Sequence, residues 1–186
     1  MCNYNKIHSF LLRQSNDFPY LNDIFRQNGT MIIRKEKIQF FDFVFKTIIS
    51  QQISYKASES IWRKIENSIL KNNINLVESI NDKEVCSQIR KFGVSSKKME
   101  YILGIKRNSP DINSKIKYYR GLSANNFKKI FKKNRGVGDW TCDMIQIFYF
   151  RNLNIWPNSD LIIKKVLHKI KEKEVKLLDF KKNFEP

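Results

Sequence analysis

The chain has 186 residues, a length that suits one domain, or two helical lobes sharing one core. Its 35 Lys and Arg against 18 Asp and Glu give a net charge of +17, the footprint of a protein that meets a polyanion, with nucleic acid ahead of an anionic membrane surface. Cys2, Cys86 and Cys142 are scattered without metal-ligand spacing, which argues against zinc, iron–sulfur and disulfide frameworks, and no apolar run is long enough to span a bilayer.

The first residues are polar and lack an apolar signal core, so the expectation is a cytoplasmic protein, nucleoid-associated in a bacterium. Ser9 to Arg13 and Phe18 to Gln27 read as two short helices. Asn28-Gly29 is a turn, and Met31-Ile32-Ile33 a brief extended segment before the basic pair Arg34-Lys35. From Phe40 to Ile53 the chain is strongly apolar. Phe41, Val44, Phe45 and Ile48 follow helical spacing, while Phe40, Phe43 and Ile49 fill other faces, so this helix is predicted to be buried nearly all round. Ser54 is the expected N-cap of a helix with Ala57, Ile61, Ile65 and Ile69 inward.

Val85, Ile89 and Phe92 mark a shorter helix that Gly93 ends. Ser95 starts another, with Met99, Ile102 and Leu103 inside, broken at Asn108-Ser109-Pro110. Ser123 caps a helix carrying Phe127, Ile130 and Phe131. Asn134-Arg135-Gly136-Val137-Gly138 stops it, and Asp139 to Phe150 is helical again. After a Trp156-Pro157-Asn158-Ser159 loop, Asp160 caps a last helix with Ile163, Val166, Leu167 and Ile170 inward. No strand series or simple repeat is present, and the architecture is all-α with short connections.

The pair of glycines at Gly136 and Gly138 carries the most chemistry. Glycines one residue apart let the backbone turn tightly and approach another surface closely. The helix that follows starts with free N–H groups and the positive end of its dipole, which suits a phosphate oxygen. Lys128, Lys129, Lys132, Lys133 and Arg135 surround this turn with cations. Asp160, at a helix start after a proline turn, is by itself most simply an N-cap. Asp139 and Asp143 lie one turn apart and read as solvated charges on an exposed face rather than as metal ligands. His8 and His168 stand far apart, and Ser50, Ser54 and Thr141 have no base in a recognisable motif.

Taken together, Gly136-Val137-Gly138, Trp140-Thr141, Trp156-Pro157 and Asp160 resemble the helix-hairpin-helix superfamily of DNA glycosylases. Ile48-Ile49-Ser50-Gln51-Gln52-Ile53-Ser54 is similar to the I-I-S-Q-Q-x-S helix end of its alkylation-repair branch, the 3-methyladenine DNA glycosylase II family. Phe92-Gly93-Val94-Ser95-Ser96-Lys97-Lys98 with Tyr101-Ile102 is similar to that branch's G-x-S-x-x-K-x-x-Y-I segment. The resemblance implies a two-lobed helical fold with a cleft between the lobes. It treats residues 1–186 as a single glycosylase domain with the helix-hairpin-helix at about 123–150.

The resemblance also assigns roles. Asp160 is the implied catalytic carboxylate, and Trp140, Met144 and Tyr55 the implied base pocket, although core packing is the preferred reading for Tyr55 alone. Gln51, Gln52, Ser54, Arg135, Gly136, Val137 and Gly138 are the implied DNA contacts. Gln52 fills the gap left by a flipped base, and Gln51 supports its loop. No cofactor is implied. A monovalent cation at the Gly136–Gly138 backbone is the one ion the superfamily suggests. Trp140 stands where backbone-cutting members carry a lysine, so the expectation is a monofunctional enzyme, a monomer acting on damaged double-stranded DNA.

The chain departs from the family at Asn134-Arg135, where an apolar residue and proline are usual, and at Asp139, which would partly oppose a phosphate. Relatives continue past a motif resembling Phe184-Glu185-Pro186, where this chain stops, as expected of a truncated gene, a fragment or a divergent short member. A non-catalytic helix-hairpin-helix DNA-binding module uses the same hairpin without needing Asp160. A membrane-surface protein fits worse, because Phe40–Ile53 lacks a basic face opposite its apolar one.

Overall fold

A computed structural model describes residues 3–69 and 74–173. Its described residues form eleven α-helices and one π-helical turn and contain no strand. The chain divides into two compact units, one formed by Glu36–Arg151 and the other by the segments Met1–Lys35 and Asn152–Pro186. The Phe184-Glu185-Pro186 motif lies outside the described residues.

The unit Glu36–Arg151 is built on α3 (Phe40–Ser50). Nine of its eleven residues are buried, so this helix is surrounded by the unit's core, as its apolar run predicts. Asp42 and Thr47 are the polar residues taken in with it; Thr47 Oγ1 satisfies itself on Phe43 O at 2.8 Å. α4 (Tyr55–Ser68) packs on α3 through Trp62 against Phe45, their ring centroids 6.5 Å apart. Lys46 ties the same pair together, with Nζ 3.0 Å from Glu59 and 5.8 Å from the Trp62 ring.

After the short α5 (Leu76–Ser79) come α6 (Lys83–Lys91) and α7 (Ser96–Asn108). Their starts are set by side chains: Asp82 Oδ1 accepts from Glu84 N and Val85 N, and Ser95 Oγ accepts from Lys98 N. Gly93, at φ +113, lets the chain reverse between them. α8 (Ile116–Gly121) and α9 (Ala124–Phe131) bring Tyr119 and Phe131 onto Phe40, with Phe127 packed edge-on against Tyr119. Phe127 and Phe131 stack at 4.4 Å.

The helix expected from Asp139 to Phe150 forms, with one change of geometry. It is α-helical as α10 (Asp139–Met144) and then π-helical over Ile145–Tyr149. The wider turn places Tyr149 and Phe150 both against Phe40, at 5.0 and 5.4 Å, while Phe148 stays exposed. Short α5 and α8 leave no periodic signal in the sequence, since neither is long enough to show one.

The other unit holds α1 (Tyr4–Gln14), α2 (Pro19–Asn28) and α11 (Leu161–Lys173). The turn between α1 and α2 is fixed by Asn22, whose Nδ2 donates to Leu12 O and to the buried Ser15 Oγ. Leu21 and Ile170 form a small core with Phe18, Ile24 and Phe25 packed on it. Of the four residues predicted to face inward on α11, only Ile170 is buried, and Val166 is 44% exposed. The extended segment at Met31-Ile32-Ile33 pairs with no strand, and Tyr4 OH fixes it by donating to Ile33 O at 2.8 Å. No helix among the described residues is long and apolar enough to cross a membrane.

Candidate functional site

Three sequence motifs meet in the unit Glu36–Arg151. The first is the turn between α9 and α10. Asn134 is buried there and organises the turn: its Nδ2 donates to Phe131 O, its backbone carbonyl accepts from Val137 N, and its Oδ1 accepts from Asn108 Nδ2 at 2.9 Å. Gly136 sits at φ +84, and a Cβ there would fall 2.1 Å from the Tyr101 ring. Glycine is therefore demanded by conformation and by packing. Gly138 has φ −107 and is the N-cap of α10, and an added Cβ would meet nothing within 4 Å. Its surroundings leave the start of α10 open to approach.

The second motif is the end of α3. Gln51 is half-buried, and its Nε2 donates to Gly136 O at 2.9 Å and to Thr141 Oγ1 at 2.8 Å. The side chain thus bolts the Gln51–Ser54 loop to the hairpin and to the following helix. Gln52 is exposed and sits at φ +56, in the left-handed region that non-glycine residues rarely occupy. Ser54 spends its hydroxyl as the N-cap of α4, accepting from Ala57 N. Tyr55 is 79% exposed, which overturns the core-packing reading of that ring. At the first turn of α4, the helix leaves it outside the core.

The third motif is α7. Lys98 is half-buried, and its Nζ donates to Ile49 O at 2.6 Å and Gln51 O at 2.8 Å, the last carbonyls of α3 and its turn. Burial holds its ammonium below the usual lysine range. One turn on, Tyr101 supplies the ring under Gly136. Neither contact is a local signal in the sequence, although Lys98 and Tyr101 both lie in the Gly93-to-Ile102 motif. Their geometric signals are a positive-φ glycine and a helix C-terminus without a basic residue of its own.

The electrostatics of the hairpin differ from expectation. Lys128 Nζ lies 2.6 Å from Asp143, Lys132 Nζ 3.0 Å from Asp139, and Arg135 2.6 Å from Glu100. Much of the basic run is therefore spent on neighbouring carboxylates rather than presented as bare charge. Asp143 is not solvated as expected but buried in the α9–α10 contact. Burial pushes its carboxyl above the usual range, and Lys128 works against that shift. Asp139 is exposed and offset by Lys132. Trp140 and Met144 are half-buried on α10, and Val137 is buried.

No group of three His, Cys, Asp or Glu side chains among the described residues could hold a metal. The hairpin carbonyls of Asn134 and Gly136 accept from Val137 N and from Gln51 Nε2.

In the other unit, the loop Trp156–Ser159 leads to Asp160. Its Oδ1 accepts from Ile162 N at 2.8 Å and Ile163 N at 2.9 Å, which fixes the carboxylate at the first turn of α11. Trp156 and Asp160 are half-buried, and Pro157 is buried.

The helical order and the braced hairpin define the class: the chain has the fold of the helix-hairpin-helix DNA glycosylases. Its fold is that of a solved 3-methyladenine DNA glycosylase, and its sequence is distantly similar to a DNA-3-methyladenine glycosylase. The DNA-3-methyladenine glycosylase of Saccharomyces cerevisiae is 24% identical over 155 residues, covering 77% of this chain and 52% of that protein. The chain thus spans about half the length of this curated relative. The 3-methyladenine DNA glycosylase of Schizosaccharomyces pombe, solved in complex with abasic DNA, is similar with a TM-score of 0.77 at 20% identity. That match covers 90% of this chain and 81% of the other. The DNA-3-methyladenine glycosidase of Bacillus halodurans gives a TM-score of 0.65 at 18% identity, over 89% of this chain and 81% of the other. No family model matches the chain.

Proposed function

We propose that this protein is a DNA glycosylase that flips an alkylated purine out of duplex DNA and hydrolyses its N-glycosidic bond, acting as a monomer without lyase activity. The observation that carries this reading is the bond from Gln51 Nε2 to Gly136 O. It joins the loop bearing Gln52 to the hairpin, so that one rigid surface offers a phosphate contact and a side chain for the vacated stack. The backbone amides at Gly138 and the start of α10 take the phosphate. Gln52 fills the gap, while Trp140, Met144 and Tyr55 face the base. Ser54, Arg135 and Val137 belong to the same DNA-contacting segments.

Asp160 is the proposed catalytic group. Glycosidic cleavage passes through a sugar with oxocarbenium character, which a carboxylate stabilises while it orients or deprotonates water. An alkylated purine is already cationic and leaves without an acid, so one carboxylate suffices. Trp140 at the lyase-lysine position leaves no amine there for attack on the sugar.

The test is release of free base from methylated duplex DNA by the wild type and by Asp160→Asn. Methylpurine from the wild type alone is the expected result. The cap bonds to Ile162 N and Ile163 N account for Asp160 without any chemistry, and they favour one second reading, a DNA-binding module. Salt-sensitive binding with no base release from either protein would establish it in place of the enzyme.

A further inference from the structure

We infer that Lys98 is a positioning residue that holds the Gln51–Gln52 turn in its inserting conformation; this rests on the reading of Gln52 given above. A non-glycine residue at φ +56 persists only where its surroundings over-determine it. Two clamps converge on the residue just before Gln52. Lys98 Nζ holds Ile49 O and Gln51 O at 2.6 and 2.8 Å, and the Gln51 side chain is held by Gly136 O and Thr141 Oγ1. The backbone of Gln51 is thus fixed from α7 and its side chain from the hairpin.

The ammonium also sits at the negative end of α3, a helix with no basic residue in its last turn. Taking a lysine partly out of water to bond carbonyls of another element has a cost. That cost is explained if the turn must stay rigid while a duplex is pressed against it. Lys98 does not touch substrate in this role; it acts through Gln51 and Gln52.

The experiment uses the full chain and a duplex holding a tetrahydrofuran abasic-site analogue opposite 2-aminopurine. Fluorescence then reports insertion without any need for catalysis. Lys98→Met is expected to bind this duplex within about threefold of wild type, because the hairpin contacts remain. At saturation it is expected to give less than half of the wild-type fluorescence rise. Lys98→Arg, which keeps the donors, is expected to recover most of it.

In base release, Lys98→Met is expected to lower kcat on a paired lesion by about ten- to a hundredfold, as misplacement of a catalytic constellation does. The loss should be much smaller at a mismatched lesion, whose base is already loosened. A general folding defect would depress both substrates alike and overturn the inference, as would an unchanged fluorescence rise. If Lys98→Met does not fold, Lys98→Gln replaces it with the same two outcomes. Wild type that raises fluorescence but releases no base would sink the catalytic reading alone, and the Lys98 comparison would still decide this inference.

Discussion

At Gly136 the backbone sits at φ +84 and an added Cβ would overlap the Tyr101 ring, whereas at Gly138 φ is −107 and the space is open. The two glycines therefore answer to different constraints, one internal and one external. Gly136→Ala is expected to destabilise the protein by roughly 2–4 kcal/mol, from left-handed strain plus overpacking. Gly138→Ala is expected to leave stability within roughly 0.5 kcal/mol, because nothing in the fold needs that space. Its methyl group instead stands where a phosphate must approach, so affinity for abasic duplex should drop. Urea midpoints and binding titrations on the two variants check both statements. A Gly138→Ala protein that binds like wild type would remove this glycine from the proposed interface.

Among elements, α3 shows how far the sequence could be read. Its apolar run announced a helix buried nearly all round, and nine of its residues are buried. The capped starts at Ser54, Ser95, Ser123 and Asp160 were equally legible, because a side-chain oxygen two or three residues ahead of unsatisfied N–H groups is a local signal. What remained hidden depends on partners distant in sequence. The π-helical turn follows from fitting Tyr149 and Phe150 onto Phe40, and Lys98 was invisible as a clamp because its acceptors lie nearly fifty residues away.

Asp42, in the first turn of α3, is another such case, and it carries a pH dependence. Burial pushes its carboxyl from 3.8 up to about 6, partly offset by a backbone hydrogen bond from Gln39. Between these values the folded chain keeps a proton that the unfolded chain has released. Stability from this group is therefore fully present below about pH 4 and is lost as pH rises through about 6. Asp42→Asn should abolish that component and be the more stable protein at pH 7, by roughly 2–3 kcal/mol. Urea midpoints for both proteins from pH 4 to 7 measure it. A variant less stable at pH 7, or a difference that does not change with pH, would mean that the Asp42 carboxylate is better satisfied than its burial indicates.

On the scale of the whole molecule, a net charge of +17 fits a polyanionic partner but does not say which groups would meet it. The structure redistributes that charge: Lys128, Lys132 and Arg135, all expected to face phosphate, are paired with Asp143, Asp139 and Glu100. Lys129 and Lys133 on the same segment are exposed. Duplex binding that neutralises about five phosphates should weaken with a slope of roughly −4 to −5 in log affinity against log salt. If the hairpin contributes mainly through backbone amides and these two lysines, a Lys129→Gln, Lys133→Gln double variant should flatten the slope by about 2. Lys132→Gln should change it much less, because the charge it removes is already offset by Asp139. Asp160→Asn should leave the slope where it was, since a carboxylate that acts on the sugar releases no counterions. Equal flattening by Lys132→Gln would mean that its ion pair opens when DNA arrives, and that the basic run faces phosphate as its sequence first suggested. A flat salt response of the wild type would remove backbone contact from the mechanism altogether.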